Sequence, residues 1–147
     1  MDTFRGSYYA TVDDKGRLKL PTRLRNQLEE SYGPHVFVTS LHSAEIRVYP
    51  LPVWEEKERK LLDLPAWDPL VQELLERANY GQEDEIDGQG RVLVPAMLRD
   101  ILGITGDVVV SGRGNFLAVV MRERPKAKMT TDFTNEQWSA IAALEKA

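Results

Sequence analysis

The sequence of 147 residues contains no cysteine and only two histidines. Without cysteine, the chain cannot form a disulfide framework, a cysteine-ligated zinc site or an iron–sulfur cluster. No run of about 18 consecutive apolar residues occurs, so we expect no membrane span. The N-terminal stretch MDTFRGSYYATVDD lacks the apolar core of a secretory signal peptide. Together these absences predict a soluble cytoplasmic protein.

Signatures of catalysis and of cofactor binding are missing as well. The sequence contains no G-x-x-x-x-G-K-[ST], no G-x-G-x-x-G and no G-x-S-x-G. His35 and His42 are seven residues apart and outside any H-x-x-x-H pattern, which disfavours a metal site. The glycine-rich stretch Ser111–Asn115 is predicted to be a hairpin turn. We therefore expect no enzyme activity, no cofactor, no metal and no small-molecule substrate.

Charge is unevenly distributed along the chain. The formal net charge of −4 would by itself argue against a nucleic-acid partner. The first 25 residues, however, carry six basic residues against three acidic ones, whereas the acids concentrate in residues 73–87. Binding responds to the local field rather than to the total charge, so an acidic protein can still present a basic face.

One short stretch occurs twice. DDKGRLKLP, at residues 13–21, returns 74 residues later as DGQGRVLVP, at residues 87–95, and the likeness continues into the following residues. Duplication explains this better than chance. The identical pairs are Asp13 with Asp87, Gly16 with Gly90, Arg17 with Arg91, Pro21 with Pro95, Leu24 with Leu98, Arg25 with Arg99 and Leu28 with Leu102.

Each copy predicts the same succession of elements. A strand (Ser7–Val12, or Gln82–Ile86) enters a turn rich in Asp and Gly, and a second strand alternates apolar and basic side chains. The proline that follows suits the first turn of a helix. In the first copy the helix starts at Thr22 and ends near Gly33, and two further strands complete a β–turn–β–α–β–β unit.

The remaining segments are predicted to be mainly helical. One helix should begin near Pro52, and another should begin at Pro69 with Asp68 as its N-cap. Thr134 and Gln137 have capping-box spacing and predict a C-terminal helix. The stretch RERPKAKMTTDF before that helix is interpreted as a mobile basic linker.

A unit this small has too few core residues to be stable alone, and its open strand edges favour pairing. Two copies in one chain can close on each other with pseudo-two-fold symmetry. The predicted fold class is α+β. Its parts are a first unit at 4–50, a helical connector at 51–79, a second unit at 80–123, and the basic linker with the C-terminal helix at 124–147.

Several of these motifs resemble one known family. The sequence resembles MraZ, a family of bacterial transcriptional regulators encoded with cell-division and cell-wall genes. The resemblance rests on the FRG at residues 4–6, both D-x-x-x-R elements, the LP-x-x-x-R after the first of them and the stretch YPLP-x-WE. The resemblance covers residues 4–122. It implies the AbrB/SpoVT-type fold, in which two β-β-α-β-β units form a swapped-hairpin barrel.

The resemblance also implies a function and a set of site residues. It implies a homo-oligomeric, octamer-like ring that is cytoplasmic and associated with the nucleoid. The ring would bind direct repeats of double-stranded DNA in the promoter of its own operon, usually as a repressor. Arg17 and Arg91 would be the main DNA contacts, supported by Lys15 and Arg5. The turn residues of the motif would be Asp13, Gly16, Asp87 and Gly90.

Alternatives remain open at this point. Arg17 and Arg91 can simply brace their turns by pairing with Asp13 and Asp87, although an aspartate that orients an arginine does not prevent DNA contact. Gln89 replaces Lys15 and Met97 replaces Arg23 in the second copy, which weakens the case for DNA contact there. An antitoxin-like or protein-interaction module is the alternative function, because AbrB-type folds also serve in such roles.

Overall fold

The computed structural model describes residues 3–42 and 44–147 and has a mixed α+β fold. The described residues form eight strands and six helices. The strands are β1 (Ser7–Val12), β2 (Arg17–Lys19), β3 (His35–Thr39), β4 (Ile46–Pro50), β5 (Gln82–Glu85), β6 (Arg91–Leu93), β7 (Gly106–Arg113) and β8 (Phe116–Met121). The helices are α1 (Thr22–Tyr32), α2 (Leu51–Leu62), α3 (Pro69–Ala78), α4 (Ala96–Leu102), α5 (Arg124–Met129) and α6 (Asn135–Lys146).

Both copies adopt the predicted β–turn–β–α–β–β order. The alternation along β2 and into the residue after it places Leu18 and Leu20 in the core, while Lys19 faces out. Helix α1 ends at Gly33, whose φ of 90° suits glycine and whose N–H donates to the carbonyl of Glu29. The prediction for Pro21 and Pro95 was wrong by one position. Each proline lies at the N-cap with ψ near 135°, just before the helix, because an extended backbone is needed to leave the strand.

The eight strands form one antiparallel sheet that curls into a nearly closed barrel. The strand order is β5-β3-β4-β8-β7-β1-β2-β6. Strand β1 of the first copy pairs with β7 of the second, and β5 of the second copy pairs with β3 of the first. The copies thus exchange hairpins, and the expected swapped-hairpin architecture is confirmed. Neither copy completes a sheet without the other.

The pseudo-two-fold axis passes between β2 and β6. These short antiparallel strands pair with Leu18 opposite Val92 at the centre. Both side chains are buried in the main core, which the two copies build together with apolar residues from seven of the eight strands, all except β5, and from α1 and α4. Burying the two-fold contact in this way fixes how the two hairpins lie relative to each other.

The connector contains α2 and α3, as predicted. Asp68 caps α3, since its Oδ1 accepts a hydrogen bond from the N–H of Leu70 at 2.9 Å. Helix α2 packs on the outer side of β3 and β4 and places Trp54 in a second, smaller core with Phe37 and Tyr49. The outer face of the first copy's sheet is therefore covered by aromatic side chains.

The C-terminal part differs from the prediction in one respect. The stretch interpreted as a mobile basic linker contains helix α5. Arg124, the first residue of this helix, donates a hydrogen bond from Nη1 to the carbonyl of Ala44 at 3.0 Å, and this contact holds α5 against the barrel. The capping box of Thr134 and Gln137 is confirmed. Over residues 3–42 and 44–147, no helix combines the length and apolarity needed to cross a bilayer.

Candidate nucleic-acid interface

The first aspartate-rich turn is closed by its own aspartate. Oδ1 of Asp13 accepts hydrogen bonds from the backbone N–H groups of Lys15 and Arg17, both at 2.9 Å. Its Oδ2 accepts from Nε of Arg17 at 2.9 Å. The hydrogen bond from the backbone N–H of Arg17, followed by the other contacts, lowers the pKa of the Asp13 carboxyl below its ordinary value of 3.8. One side chain thus fixes both the turn and the arginine.

The second turn repeats this arrangement almost atom for atom. Asp87 accepts from the backbone N–H groups of Gln89 and Arg91, both at 2.9 Å, and from Nε of Arg91 at 2.8 Å. Its pKa is also lowered, mainly by the hydrogen bond from the backbone N–H of Arg91. The duplicated sequence therefore produces duplicated geometry, including the direction of each arginine side chain.

Bracing by aspartate leaves most of each guanidinium free. Asp13 and Asp87 bind only Nε, and among residues 3–42 and 44–147 no protein group hydrogen-bonds to Nη1 or Nη2 of Arg17 or Arg91. Each arginine keeps two outward NH₂ groups in a fixed orientation. This is the arrangement suited to bidentate contact with guanine O6 and N7, or with a phosphate. The bracing and contact interpretations are thus compatible.

The two arginines lie close together on one surface. In the β2–β6 ladder Arg17 is opposite Leu93, and Lys19 is opposite Arg91. Because Leu18 and Val92 point into the core, these four side chains point outward. We call them the ladder face. Arg17 and Arg91 are diagonal neighbours on it, which puts their Cα atoms about 7–8 Å apart.

The supporting contacts expected from sequence are placed differently. Lys15 is exposed in the first turn, next to the ladder face. Arg5 is exposed too, but it follows Phe4, which pairs with Gly114 at the opposite end of β1. A strand of six residues is about 20 Å long. The structure therefore brings Lys15 to Arg17 and does not bring Arg5 there.

The glycines of the two turns have a role that the sequence pattern did not reveal. Gly16 has a φ of 85°, and a Cβ atom added to it would lie 2.5 Å from Nε of Arg99. Gly90 has a φ of 80°, and its added Cβ would lie 2.9 Å from Cδ of Arg25. Each helix thus sends an arginine over the turn of the other copy. The repeated LP-x-x-x-R gave the arginine but not its destination.

Backbone hydrogen bonds join the two turns as well. The carbonyl of Gly16 accepts from the N–H of Val94 at 2.7 Å, and the carbonyl of Gly90 accepts from the N–H of Leu20 at 2.9 Å. The two turns are consequently parts of one rigid unit. Arg17 and Arg91 are presented with a fixed spacing.

The surroundings of the two turns have opposite charge. Residues 4–33 contain six basic and four acidic residues, whereas the corresponding residues 78–107 contain two basic and six acidic residues. Beyond the two changes noted from sequence, Leu93 replaces Lys19 on the ladder face itself. The structure also pairs the N–H of Leu93 with Oδ2 of Asp84 at 2.7 Å, where the first copy has Ala10. The basic character therefore lies on the first copy's side.

A buried carboxylate elsewhere was missed from the sequence. The side chain of Glu45 is 2% exposed and pairs with Arg113 at 2.7 Å, His42 at 2.9 Å and Arg47 at 3.1 Å. Burial acts to raise its pKa, but the hydrogen bond from Arg47 and the nearby positive charges outweigh burial and lower it. His42 and Arg47 are close to Glu45 in the sequence, but Arg113 comes from β7, and no local pattern indicated that the carboxylate would be buried. Within the described residues, no group of three or more His, Cys, Asp or Glu side chains is arranged to hold a metal ion.

Comparison with known proteins gives one consistent result. A family model described as "MraZ protein, putative antitoxin-like" matches residues 3–77 and 80–125. The chain is similar to the transcriptional regulator MraZ of Acidobacterium capsulatum, with 43% identity over 141 residues that cover 95% of this chain and 97% of that protein. It is 40% identical to the protein of the same name from Koribacter versatilis, covering 96% of this chain and 98% of that protein. The transcriptional regulator MraZ of Methylococcus capsulatus is 36% identical, with 97% and 90% covered.

Proposed function

This chain belongs to the MraZ family, and from that membership we propose that it is a transcriptional regulator that binds double-stranded DNA through the ladder face. The observation that carries the proposal is the state of Arg17 and Arg91. Each is held by an aspartate at Nε only and presents its NH₂ groups outward from a rigid hairpin. Catalysis forms no part of this function.

Arg17 and Arg91 have a different task in this proposal from the other basic residues around them. Arg17 and Arg91 contact base edges, since a planar guanidinium can bind guanine at two points. Lys15, Lys19 and Arg23 neutralise phosphates, which adds salt-dependent affinity but little sequence information. A two-stranded β-ribbon is narrow enough to enter the major groove. In this proposal the β2–β6 ladder, which continues through β1 into the barrel, presents the ladder face to that groove.

One ladder face offers few contacts, so we propose that affinity comes from multiplicity. Several copies in an octamer-like ring would bind direct repeats in the promoter of the protein's own operon. The ring would act there as a repressor and would be associated with the nucleoid in the cytoplasm. Each further contact on one DNA molecule is intramolecular and raises affinity by about 10²–10⁴-fold over a single contact. Repeats spaced by roughly one helical turn, about 10 base pairs, would fit this geometry.

We also propose that the parts of the chain divide the work. Residues 4–50 and 80–123 supply the barrel and its hairpins, 51–79 connect them, and 124–147 form an appendage. Size-exclusion chromatography with light scattering tests the ring. A protein that stays monomeric while binding repeated DNA tightly would contradict the ring but not the ladder face.

The test of DNA binding compares wild type with Arg17→Ala and Arg91→Ala on the DNA upstream of the gene across a salt series. Loss of a base-contacting arginine costs about 1–3 kcal/mol, so each variant should bind roughly tenfold or more weakly. Arg59→Ala is the matched control, because it removes the same charge from α2 at a side chain that is 62% exposed. If all three variants bind as tightly as wild type, the ladder face does not bind DNA.

An antitoxin-like or protein-interaction module is the second candidate. The description of the matching family favours it. In that case the double variant Arg17→Ala/Arg91→Ala would still bind the same protein partner as wild type. Two results together would favour this second function. The wild type would not bind DNA, and wild type and double variant would retain the same protein equally from the native lysate.

A further inference from the structure

The outer faces of the two halves of the barrel are covered differently. In the first copy, the rings of Phe37 and Trp54 stack with centroids 4.8 Å apart, and Tyr49 lies 5.2 Å from Trp54. All three side chains are at least nine-tenths buried. The space between the sheet and the helix after β4 is therefore filled by aromatic rings.

In the second copy the corresponding positions hold small residues. The 74-residue shift lays Ser111 on Phe37. Across the hairpin Ala118 is opposite Ser111, as Tyr49 is opposite Phe37. The hydroxyl of Ser111 is 2.7 Å from the hydroxyl of Ser7 on the neighbouring strand. A sheet face with serine and alanine in place of aromatics leaves empty volume beneath whatever covers it.

A half-open cavity of about 500 Å³ lies between helix α5 and this face. The volume lies within the range of small-molecule sites, which is roughly 300–1,000 Å³. Val109 and Val120 supply an apolar wall from the sheet, and Met129, which is 86% exposed, lines the cavity on the helix side. The hydroxyls of Ser7 and Ser111 provide polar groups beside that wall. The cavity thus combines an apolar body with a few hydrogen-bonding groups.

Positive charge predominates around the cavity. Arg113, Arg124 and Lys128 line it, and Glu45 is the only lining acid among the described residues. Glu45 is shared, since Arg113 and Arg47 both pair with it. Lys128 makes no hydrogen bond or ion pair with any group in the described part of the chain. Three cations against one carboxylate leave an excess of positive charge in the lining that a bound anion would balance.

We propose that this cavity binds a small organic anion with a flat apolar body, such as an aromatic carboxylate. Its ring would occupy the space that Phe37 and Trp54 fill in the first copy, against Val109 and Met129. Its negative group would face Lys128 and Arg113. Because α5 forms one wall, the ligand would join the C-terminal segment to the barrel. The proposal is independent of the DNA-binding function.

The test uses three probes that share one ring and differ in charge: benzoate, benzyl alcohol and benzylamine. Binding to the full chain is measured by saturation-transfer NMR and by calorimetry. We expect benzoate to bind saturably with a Kd on the order of 1 mM, as is usual for so small a ligand. Benzyl alcohol should bind several-fold more weakly, and benzylamine should not bind. Benzylamine binding as well as benzoate would overturn the proposal.

Two pairs of variants locate the site. Lys128→Gln should weaken benzoate binding by about tenfold, whereas Lys126→Gln, two residues earlier on α5 and outside this cavity, should leave it unchanged. Ser111→Phe places in the cavity the ring that the first copy has and should abolish binding. Ser139→Phe adds the same ring on exposed α6 and should have no effect.

The lysine pair decides the question even if Ser111→Phe fails to fold, since Lys126 and Lys128 lie on a short surface helix with no buried residue. Absence of saturable benzoate binding to wild type would refute the proposal. So would equal binding by Lys126→Gln and Lys128→Gln.

Discussion

The first copy of the repeat carries Lys15, Lys19 and Arg23 at positions where the second copy has Gln89, Leu93 and Met97. Their turns nonetheless have the same hydrogen bonds to within about 0.1 Å. The turn geometry depends on one aspartate, one glycine and one arginine, and these are identical in both copies. The surface around it depends on residues that the turn does not need. A duplicated hairpin can therefore keep its shape while the two copies acquire different surfaces.

The comparison extends to the outer faces of the sheet. In the first copy, Phe37, Tyr49 and Trp54 form a second core beneath the helix that follows β4. In the second copy, the helix that follows β8 has no buried residue and covers a cavity instead. The first half of the barrel is thus reinforced from outside, and the second half is not.

The largest predicted effect breaks this reinforcement. Trp54→Ala should lower the free energy of unfolding by about 3–5 kcal/mol, because it removes a buried indole from between two aromatic rings. Trp138→Ala, on α6, should cost less than about 1 kcal/mol, since Trp138 is 50% exposed. Urea unfolding of both variants measures the difference. Equal losses would mean that α6 stabilises the fold as strongly as α2 does.

The next effect tests how closely the copies cross. Gly16→Ala should cost about 1–3 kcal/mol, since alanine is strained at a φ of 85° and its Cβ would meet Arg99. Gly88→Ala is the control, because a Cβ there meets nothing within 4 Å. Thermal unfolding compares the two variants.

Adding Arg99→Ala to Gly16→Ala should restore part of the loss. If the double variant recovers no stability, backbone strain at residue 16 alone accounts for the stability lost in Gly16→Ala. Gly90→Ala should cost somewhat less than Gly16→Ala, since its contact with Arg25 is longer, at 2.9 Å.

A third prediction removes the charge difference between the copies. Gln89→Lys, Leu93→Lys and Met97→Arg together give the second copy the basic residues of the first. If the ladder face binds DNA, each new phosphate contact should steepen the slope of log K against log salt by roughly 0.9. Affinity at low salt should rise accordingly. Filter binding or fluorescence anisotropy across a salt series measures both quantities.

The control for this variant adds the same charge away from the hairpins. This control places three positive charges on exposed α6 through the substitutions Ser139→Lys, Ala143→Lys and Leu144→Lys. If this control steepens the slope as much as the ladder-face variant, the effect reflects total charge rather than contact at the second hairpin.

The smallest effect concerns pH, where the two copies should behave alike. The carboxyls of Asp13 and Asp87 have folded-state pKa values below the ordinary 3.8. The stabilisation they give is thus complete above that value and is lost as the pH falls through the lowered pKa. Asp13→Asn and Asp87→Asn should each reduce the dependence of stability on pH below about 4. Titration of the two carboxyls by NMR checks the shifts directly, and an unshifted Asp87 would break the equivalence of the turns.

Local features of this protein were predictable from the sequence because their causes lie within a few residues. The alternation at Leu18 and Leu20, the end of α1 at Gly33 and the cap at Thr134 were all predicted correctly. The family resemblance added the swapped-hairpin fold, which the strand pairing confirms. The linker was misjudged, since RERPKAKMTTDF has the composition of a loop while α5 is held by contacts to the barrel.

For the candidate site, the sequence indicated Arg17 and Arg91 but not their relation to each other. The family resemblance implied Arg5 as a supporting DNA contact, and the structure places Arg5 next to the bridge from Phe4 to Gly114, at the far end of β1 from Arg17. No pattern in the sequence indicated that Arg99 crosses over Gly16, or that Leu93 lies opposite Arg17. Each of these depends on which strand pairs with which, and that pairing joins residues about 70 to 100 positions apart.

The sequence by itself determined the duplication, the two aspartate-braced turns and the order of strands and helices within each copy, because hydrogen bonding within a turn and the periodicity of strands and helices are local. Only the tertiary structure decided that the copies exchange hairpins and that Arg17 and Arg91 share one face. It also decided that Glu45 is buried among cations and that a cavity lies beneath α5. Those features arise when two incomplete units bury their apolar faces against each other, and the free energy of that burial depends on the whole chain.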